Sequence, residues 1–254
     1  MKFTKDPLLI SHRGNNISNV KENTLDAFKE AVKESNYAIE LDVMISKDNK
    51  ILISHNTVDN KTGELYNYYT IQQLKEKKID LEFEEVIKTL PHNTNYLIDI
   101  KESRPDSKIV LVLLTLCLKY NIVSNCIFAS FNEYILRDLY EYELEFDIYL
   151  KKGYITANIE INFIYEKILL WNISHIIFEK NLISSDMIKY LKDNFDIQIF
   201  IYTCNDIGYY YYAKGLHIDG IITDKSHIFK DIDSKKNNNL FHKFIGLFDD
   251  ICIK

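Results

Sequence analysis

Two acidic residues lie close together in a segment that otherwise has the composition of a buried β-strand. Glu40 and Asp42 stand two positions apart in AIELDVMISKDNKILISHN, and side chains at alternate positions of a strand point to the same side. The same spacing joins Asp99 and Lys101 in IDIK. Each pair presents two charged groups on one face of its strand, which is costly in a buried strand unless the charges have partners.

The carboxylates of Glu40, Asp42 and Asp99 form a candidate metal site. Ionised carboxylates that are held close together raise one another's pKa, and a divalent cation removes their repulsion. Oxygen ligands without a nearby cysteine favour Mg²⁺ or Ca²⁺ over zinc. We therefore expect one divalent cation at this site, Mg²⁺ or Ca²⁺, with Mn²⁺ as a further candidate.

Two histidines follow strand-like segments, His12 in SHRG and His55 in SHN, and Arg13 comes directly after the first. The unperturbed pKa of histidine, ~6.5, lies near working pH, so the pair can act as general base and general acid. A metal ion together with Arg13 and Lys101 can neutralise charge that develops on a phosphoryl group. A single histidine at a strand end is more often structural, but the whole set predicts chemistry on a phosphate ester.

Short apolar segments alternate with helical patterns along the chain. Strands are predicted at 7–12, 38–46, 51–55, 96–101, 125–131, 146–151, 175–180, 197–203 and 219–224. Helices are predicted at 22–35, 70–78, 83–90, 107–120, 132–143, 161–172, 184–194 and 206–214. About eight strand–helix units in ~250 residues predict a (β/α)₈ TIM barrel. A doubly wound sheet is the alternative, but SHRGNN lacks its usual glycine-rich first turn.

A (β/α)₈ barrel would bring the charged residues together, because chemistry occurs at the carboxyl ends of its strands. We expect the carboxylates, both histidines, Arg13 and Lys101 to lie at that end. His175 begins its predicted strand and is expected at the opposite end. The segment 57–95 is less regular and is predicted to form a short excursion over one face of the barrel.

The composition is that of an ordinary globular protein, and we expect the 254 residues to form a single domain. A net charge of −6 gives no basic excess, so no nucleic-acid partner is expected. The cysteines follow no metal or disulfide spacing. Neither a signal peptide nor a transmembrane segment is evident, so a cytoplasmic location is predicted.

The C-terminal segment 235–254 is predicted to be an exposed connector followed by a helix. One face of that helix carries the apolar residues Leu240, Phe244, Leu247, Phe248 and Ile251. Docking of this face on the barrel is the favoured interpretation. Peripheral contact with a membrane is the alternative, although the helix lacks the basic polar face that usually accompanies it.

Four segments carry the most specific pattern: SHRG, ENTLDAFKEAV, AIELDVMISKDNKILISHN and IDIK. In this order they resemble the glycerophosphodiester phosphodiesterase family, and the resemblance continues through FEEVI, ASF, IFIYTCN and HIDGIITD. It spans almost the whole chain. The resemblance implies a metal-dependent TIM barrel that hydrolyses glycerophosphodiesters to glycerol phosphate and an alcohol.

The resemblance also implies a role for each candidate residue. The acid/base pair would be His12 and His55, the metal ligands Glu40, Asp42 and Asp99, and the phosphate-binding cations Arg13 and Lys101. Glu22 would orient the site by hydrogen bonds, or would simply be a favourable charge near a helix N-terminus. Tyr202 and Phe131 would shape the pocket wall, or would be core aromatics. For Lys101 the alternative is a structural ion pair with Asp99 or Glu40.

Three features depart from the family pattern. Asn56 replaces the usual aspartate after His55, Asp99 replaces the usual glutamate, and the 57–95 excursion is short, which suggests an open mouth. The Asp99-x-Lys101 pattern is also similar to sphingomyelinase D enzymes. A second hypothesis is therefore a lysophospholipase D-like enzyme that forms a cyclic phosphate, and a third is an inactive phosphodiester-binding scaffold. The expected partner is a small phosphodiester or a lysophospholipid.

Overall fold

The computed structural model of the protein describes residues 6–15, 20–102 and 107–234. Its strands are β1 (Leu8–Ser11), β2 (Ala38–Ile45), β3 (Ile51–Ile53), β4 (Tyr96–Ile100), β5 (Cys126–Ser130), β6 (Lys151–Thr156), β7 (His175–Glu179), β8 (Gln198–Tyr202) and β9 (Gly220–Thr223). All except β3 are parallel and form a closed barrel of eight, because β1 pairs with both β2 and β9. The predicted (β/α)₈ TIM barrel is confirmed.

Helices cover the outside of the barrel. They are α1 (Leu25–Lys33), α2 (Ile71–Glu76), α3 (Phe83–Thr89), α4 (Ile109–Lys119), α5 (Glu133–Glu145), α6 (Ile161–Trp171), α7 (Ser185–Asn194), α8 (Ile207–Gly215) and α9 (Ser226–Ser234). The start of α1 shows how local sequence determines where a helix begins and which face it buries. The side chain of Thr24 accepts a hydrogen bond from the backbone N–H of Ala27, and Phe28 is buried against the barrel.

Alternating side chains of the barrel strands divide the core into two layers. One set fills the barrel interior and consists of Ile10, Ala38, Leu97, Ile127, Ala129, Ile155, Ile177, Phe200 and Ile222. The other set points outward and packs under the helices, as Leu41, Phe128 and Ile176 do. This is the arrangement expected when a parallel sheet is covered on both faces, and it makes the two open ends of the barrel the main places for polar side chains.

The excursion between β2 and β4 begins with a hairpin. β3 runs antiparallel to β2, with Val43 opposite Ile53, so it is not a barrel strand. A 3₁₀ turn (Tyr66–Tyr68) and the short helices α2 and α3 complete the segment. Because β3 reverses direction, the chain that follows it returns toward the barrel mouth, and the backbone N–H of Ser54 donates to the Asp42 carbonyl at 3.0 Å.

The predicted strand at 146–151 is wrong. Helix α5 continues to Glu145, and the strand β6 begins only at Lys151. Its residue Lys152 is fully buried and pairs with Glu143 of α5, and burial lowers the pKa of this lysine. A buried lysine in a strand depends on a partner from another element, and the local sequence does not display that partner.

Helix α9 was not predicted, and it completes the eighth strand–helix unit by packing Phe229 face to face on Tyr210 of α8. The predicted connector and helix at 235–254 lie outside the described residues. Within the described part of the chain, no helix is long and apolar enough to cross a membrane.

His175 lies at the first position of β7, at the amino end of the barrel as expected. Its ring is only 5% exposed, packs edge-on against Phe200 and shares a 2.8 Å hydrogen bond with Ser174. Burial lowers its pKa from 6.5 to about 4. The folded protein therefore keeps this histidine neutral at pH values at which the unfolded chain protonates it.

We predict that acid weakens the fold through His175. The stability that depends on its neutral ring is present above pH 6.5 and is lost as the pH falls toward 4, because only the unfolded chain binds the proton in that interval. Between pH 7 and 4.5 the loss should be roughly 2 kcal/mol. When urea unfolding is measured at both pH values, the free energy of unfolding of His175→Asn should fall by less than that of the wild type. The exposed-residue control, His92→Asn, should keep the wild-type loss, and an equal loss in all three proteins would contradict the prediction.

Candidate active site

A cavity of about 220 Å³ opens at the carboxyl end of the barrel. It is lined by His12, Arg13, Glu40, Asp42, His55, Leu97, Asp99, Lys101, Phe131, Ile155, Ile177, Tyr202, Thr203 and Ile222. Every residue that the sequence singled out for this site is in that set except Glu22. The structure therefore brings together predicted side chains from β2, β4 and β8 and from the segments that follow β1, β3, β4 and β5.

Three carboxylates meet at one side of the cavity. Glu40 and Asp42 project from β2, and Asp42 is in register with Asp99 on the neighbouring strand β4. One oxygen from each lies within 4.8 Å of the others, and all three residues are buried. Burial, followed by repulsion from Asp42, raises the pKa of Glu40 to about 8. Burial also raises the pKa of Asp99 to about 6, against the attraction of Lys101.

This carboxylate cluster fits a divalent cation. Asp99 Oδ1 is buried and, among the described residues, has no hydrogen-bond partner, which is unusual for a carboxylate oxygen in a folded protein. Its other oxygen accepts a 2.6 Å hydrogen bond from Lys101. Hard oxygen donors are the ligands that Mg²⁺ and Ca²⁺ prefer. Glu40, Asp42 and Asp99 could therefore hold one such ion, which would also relieve their mutual repulsion.

Two cationic side chains hold the carboxylates in place. Lys101 Nζ lies 2.6 Å from Asp99 Oδ2 and 3.2 Å from Asp42 Oδ1. Arg13 Nε lies 3.0 Å from Asp42 Oδ2 as an ion pair without hydrogen-bond alignment, and the Arg13 backbone N–H donates to Glu40 at 2.8 Å. For Lys101 the structure thus shows the ion pair with Asp99 that was one predicted alternative, while its partner besides Asp99 is Asp42 rather than Glu40.

The turn after β1 explains why SHRG has this composition. Arg13 adopts a left-handed backbone conformation with φ +53°, and Gly14 follows with φ +84°. A Cβ at Gly14 would approach the backbone of Ala27 to 2.8 Å, so only glycine fits beside α1. The turn directs the backbone N–H of Arg13 at Glu40 and places His12 at the mouth of the barrel.

Glu22 lies outside the cavity, but it contacts a residue that lines it. Its carboxylate accepts a 2.8 Å hydrogen bond from Arg13 Nη1, in agreement with the orienting interpretation. The next residue, Asn23, was not predicted as a site residue. It has φ +54°, a conformation that asparagine tolerates, and its side chain donates to Asp42 Oδ2 at 2.8 Å. The ENT segment therefore ties the loop after β1 to the carboxylate cluster.

His12 has an anionic partner from the far end of the chain. Its Nδ1 lies 2.8 Å from Asp224 Oδ1, and Asn205 donates to the other oxygen of Asp224 at 2.6 Å. Burial lowers the pKa of His12, but the hydrogen bond to Asp224 and the charge of Glu40 outweigh it and raise the pKa overall. With Nδ1 bound to Asp224, Nε2 is the nitrogen that remains for chemistry.

His55 lies in the loop that returns from β3, and its setting differs from that of His12. Its Nδ1 lies 3.3 Å from Asn56 Oδ1, so its partner at this position is a neutral amide. The two histidines of the cavity therefore have partners of different charge, which is a basis for different proton-transfer roles.

Sequence reasoning missed Asn23, Asn205 and Asp224 as members of the site. Asp224 directly follows β9, and a carboxylate at the end of a closing barrel strand was the available signal. Asn205 gave no such signal, because it acts by accepting from the backbone N–H of Asp224 at 2.9 Å while its amide group donates to that carboxylate. Its position depends on the pairing of β8 with β9.

Comparisons with known proteins bear on the family to which the chain belongs. A model of the glycerophosphoryl diester phosphodiesterase family matches residues 12–228. The chain belongs to this family. The predicted family is confirmed, and the matched range includes every candidate site residue from His12 to Tyr202 as well as Asp224.

Individual relatives support the same assignment. A glycerophosphodiester phosphodiesterase from Caldanaerobacter subterraneus subsp. tengcongensis is 34% identical over 152 residues, which is 52% of this chain and 61% of that protein, less than two thirds of its length. A glycerophosphodiester phosphodiesterase from Thermotoga maritima has a similar crystal structure, with 24% identity, 90% of this chain and 99% of that chain covered, and a TM-score of 0.74.

A phosphodiesterase from Oleispira antarctica, solved in complex with the product sn-glycerol-3-phosphate, is 18% identical. The match covers 89% of this chain and 97% of that chain, with a TM-score of 0.77. At these identities, the two structural likenesses show the shared barrel fold.

We predict that Asp99→Asn weakens the binding of Mg²⁺ or Ca²⁺ by roughly tenfold or more, because it removes one anionic oxygen ligand while keeping the size of the side chain. Isothermal titration calorimetry of the purified variant measures this directly. Asp147→Asn is the matched control, since Asp147 is exposed and its φ of +50° suits asparagine. Unchanged affinity in Asp99→Asn would remove Asp99 from the metal site.

Proposed function

We propose that the protein is a metal-dependent phosphodiesterase that hydrolyses glycerophosphodiesters to glycerol phosphate and an alcohol. The observation that carries this proposal is the cavity in which His12 and His55 lie beside three carboxylates and two cations. Family membership supports the same reaction class. An inactive scaffold would have no need of an acid/base pair. The cytoplasmic location predicted from the sequence is part of the same proposal.

Glu40, Asp42 and Asp99 would hold the cation. When bound, a divalent ion supplies positive charge that polarises a phosphoryl oxygen and stabilises the negative charge of the transition state. Lys101 then has two tasks: it keeps Asp99 and Asp42 in position, and it adds positive charge on the cavity side of the cluster. Its pKa is raised by Asp99 and Asp42, against the effect of burial, so it stays protonated at neutral pH.

The partners of the two histidines suggest their roles. Asp224 stabilises the protonated ring of His12, so we assign His12 as the general acid that donates a proton from Nε2 to the oxygen of the leaving alcohol. Among the described residues, the partner of His55 Nδ1 is the neutral Asn56, so we assign His55 as the general base that accepts a proton from the attacking water. Asn205 keeps Asp224 oriented toward His12.

Arg13 retains hydrogen-bond donors for the substrate. A guanidinium group has five N–H donors, and the described contacts of Arg13 with Glu22 and Asp42 involve Nη1 and Nε. The remaining donors can bind a phosphoryl oxygen. These contacts also fix the plane of the guanidinium before the substrate arrives, so substrate binding costs less conformational entropy.

The direct test of the proposal is product analysis by ³¹P NMR. The protein is incubated with glycerophosphocholine or glycerophosphoglycerol and Mg²⁺, Ca²⁺ or Mn²⁺, with and without excess EDTA. Glycerol phosphate should appear only when a metal is present. A cyclic phosphate product would instead support the lysophospholipase D-like alternative. Full turnover in EDTA would contradict the metal requirement, and the absence of turnover with every metal and substrate would favour the scaffold.

We predict that His12→Ala and His55→Ala each lower kcat by ~10²–10⁴-fold, the usual contribution of general acid–base catalysis, while the melting temperature changes little. His92→Ala is the control, because His92 is exposed and lies in the loop before β4, at the opposite end of the barrel. Steady-state kinetics at saturating metal measure the effect. A loss smaller than threefold in either cavity variant would mean that this histidine does not transfer a proton in the rate-limiting step.

A further inference from the structure

Charged and apolar side chains occupy opposite sides of the cavity. The charged side is formed by β2, β4 and adjoining segments and includes His12, Arg13, Glu40, Asp42, His55, Asp99 and Lys101. The apolar side is formed by β5 to β9 and adjoining residues and includes Phe131, Ile155, Ile177, Tyr202 and Ile222, while Leu97 of β4 is an apolar lining residue on the charged side. A diester whose phosphate lies against the charged side places one of its two alcohol portions against the apolar side.

One carboxylate lies next to the apolar side, in register with a residue that lines it. Glu179 is the last residue of β7, two positions after Ile177, which lines the cavity. Alternation along the strand puts both on the interior face of the barrel. Glu179 is also in register with Tyr202 on the adjacent strand β8. The glutamate and the tyrosine therefore belong to the same layer at the mouth of the barrel.

The carboxylate of Glu179 is oriented but not neutralised. Its Oε1 accepts a 2.8 Å hydrogen bond from the side chain of Asn181, and Oε2 accepts from the backbone N–H of Asn181 at 3.1 Å. In the part of the chain that the structure describes, no ion pair to Glu179 is present. The neighbouring Lys180 instead places its ammonium 5.6 Å from the centre of the Tyr209 ring.

Tyr202, the strand neighbour of Glu179, belongs to an aromatic pair. Phe131 and Tyr202 meet edge to face with centroids 6.1 Å apart, and Phe131 is 48% exposed. Burial raises the pKa of Tyr202 to about 12, and the nearby charges of Glu179 and Asp99 add to the effect. The tyrosine thus stays neutral, and both residues have aromatic rings of the kind whose electron-rich faces attract organic cations.

We propose that Glu179, Phe131 and Tyr202 form a subsite for a cationic leaving group. It would bind the ammonium group of an amino alcohol, and a quaternary ammonium would fit it best. Aromatic rings bind such a weakly hydrated cation by cation–π attraction, and the carboxylate supplies the opposite charge. The assignment rests on the proposed phosphodiesterase function and adds to it the chemical class of the alcohol.

The charge of Lys101 does not oppose this subsite. Its Nζ lies 5.7 Å from the centre of the Phe131 ring, but the same ammonium contacts Asp99 at 2.6 Å and Asp42 at 3.2 Å. Its positive charge is therefore compensated on the side of the carboxylate cluster. Glu179 has no such partner among the described residues, so a bound ammonium would complete its pairing.

The test compares two substrates that differ only in charge. Glycerophosphocholine carries a trimethylammonium group, and its 3,3-dimethylbutyl analogue carries a neutral tert-butyl group of the same shape. We expect the wild type to hydrolyse the choline ester with a kcat/KM about tenfold higher, the size of effect that cation–π and charge contacts produce. Most of the difference should lie in KM, because the contact is made in both ground and transition states.

Three variants test which side chains cause the difference in kcat/KM between the two esters. Glu179→Gln keeps an acceptor for the Asn181 N–H but removes the charge, and the ratio of the two kcat/KM values should fall from about ten toward about one. Phe131→Leu should lower the same ratio. Glu160→Gln is the matched control, because it removes an exposed carboxylate from the loop between β6 and α6 at the same end of the barrel. The wild-type ratio should persist in the control.

The possible outcomes test the cationic subsite and the phosphodiesterase function separately. Equal kcat/KM values for both esters in the wild type would overturn the subsite but leave the phosphodiesterase function intact. An unchanged ratio in Glu179→Gln would also overturn it. If neither ester is hydrolysed with any metal, the proposed function fails, and the subsite is judged by calorimetric binding of the two esters. Tighter binding of the choline ester would still support the subsite, whereas equal affinities would overturn it.

Discussion

Mutual repulsion among three buried carboxylates is the constraint on which the site depends. Glu40, Asp42 and Asp99 come from two adjacent strands, and their register leaves them no room to separate. The fold compensates with Arg13 and Lys101, whose contacts with these oxygens are 2.6–3.2 Å long. Compensation is incomplete, because one buried oxygen of Asp99 has no described partner. A divalent ion would satisfy that oxygen and lower the remaining repulsion.

The barrel also places charged groups and apolar or aromatic groups on different parts of its rim. Parallel strands present their carboxyl ends at one rim, so the neighbours β2 and β4 concentrate charge there while β5 to β8 contribute mainly apolar and aromatic groups. A phosphodiester has the same division, with an anionic centre and two alcohol portions. The charged arc suits the reacting phosphate, and the aromatic arc is free to select an alcohol. Selectivity could therefore change on one arc without disturbing His12, His55 or the carboxylates.

Much of this site could be predicted from local sequence. Alternation along β2 was enough to place Glu40 and Asp42 on one face, and the strand–helix rhythm predicted the barrel. Features that depend on distant contacts could not be predicted. The burial of Lys152 depends on Glu143 of α5, so the local sequence did not reveal that β6 begins at Lys151. The antiparallel course of β3, which carries the chain back toward the mouth, depends on pairing with β2 rather than on composition.

The contact between His12 and Asp224 joins residues 212 positions apart in the chain. During synthesis the histidine leaves the ribosome long before its carboxylate partner, and the barrel cannot close until β9 is available to pair with β1. An incomplete chain therefore lacks both the closed cavity and the ion pair that holds the imidazole. Translation itself thus delays the assembly of the cavity until the residues of β9 have been made, and a fragment that stops before this strand would lack the closed barrel.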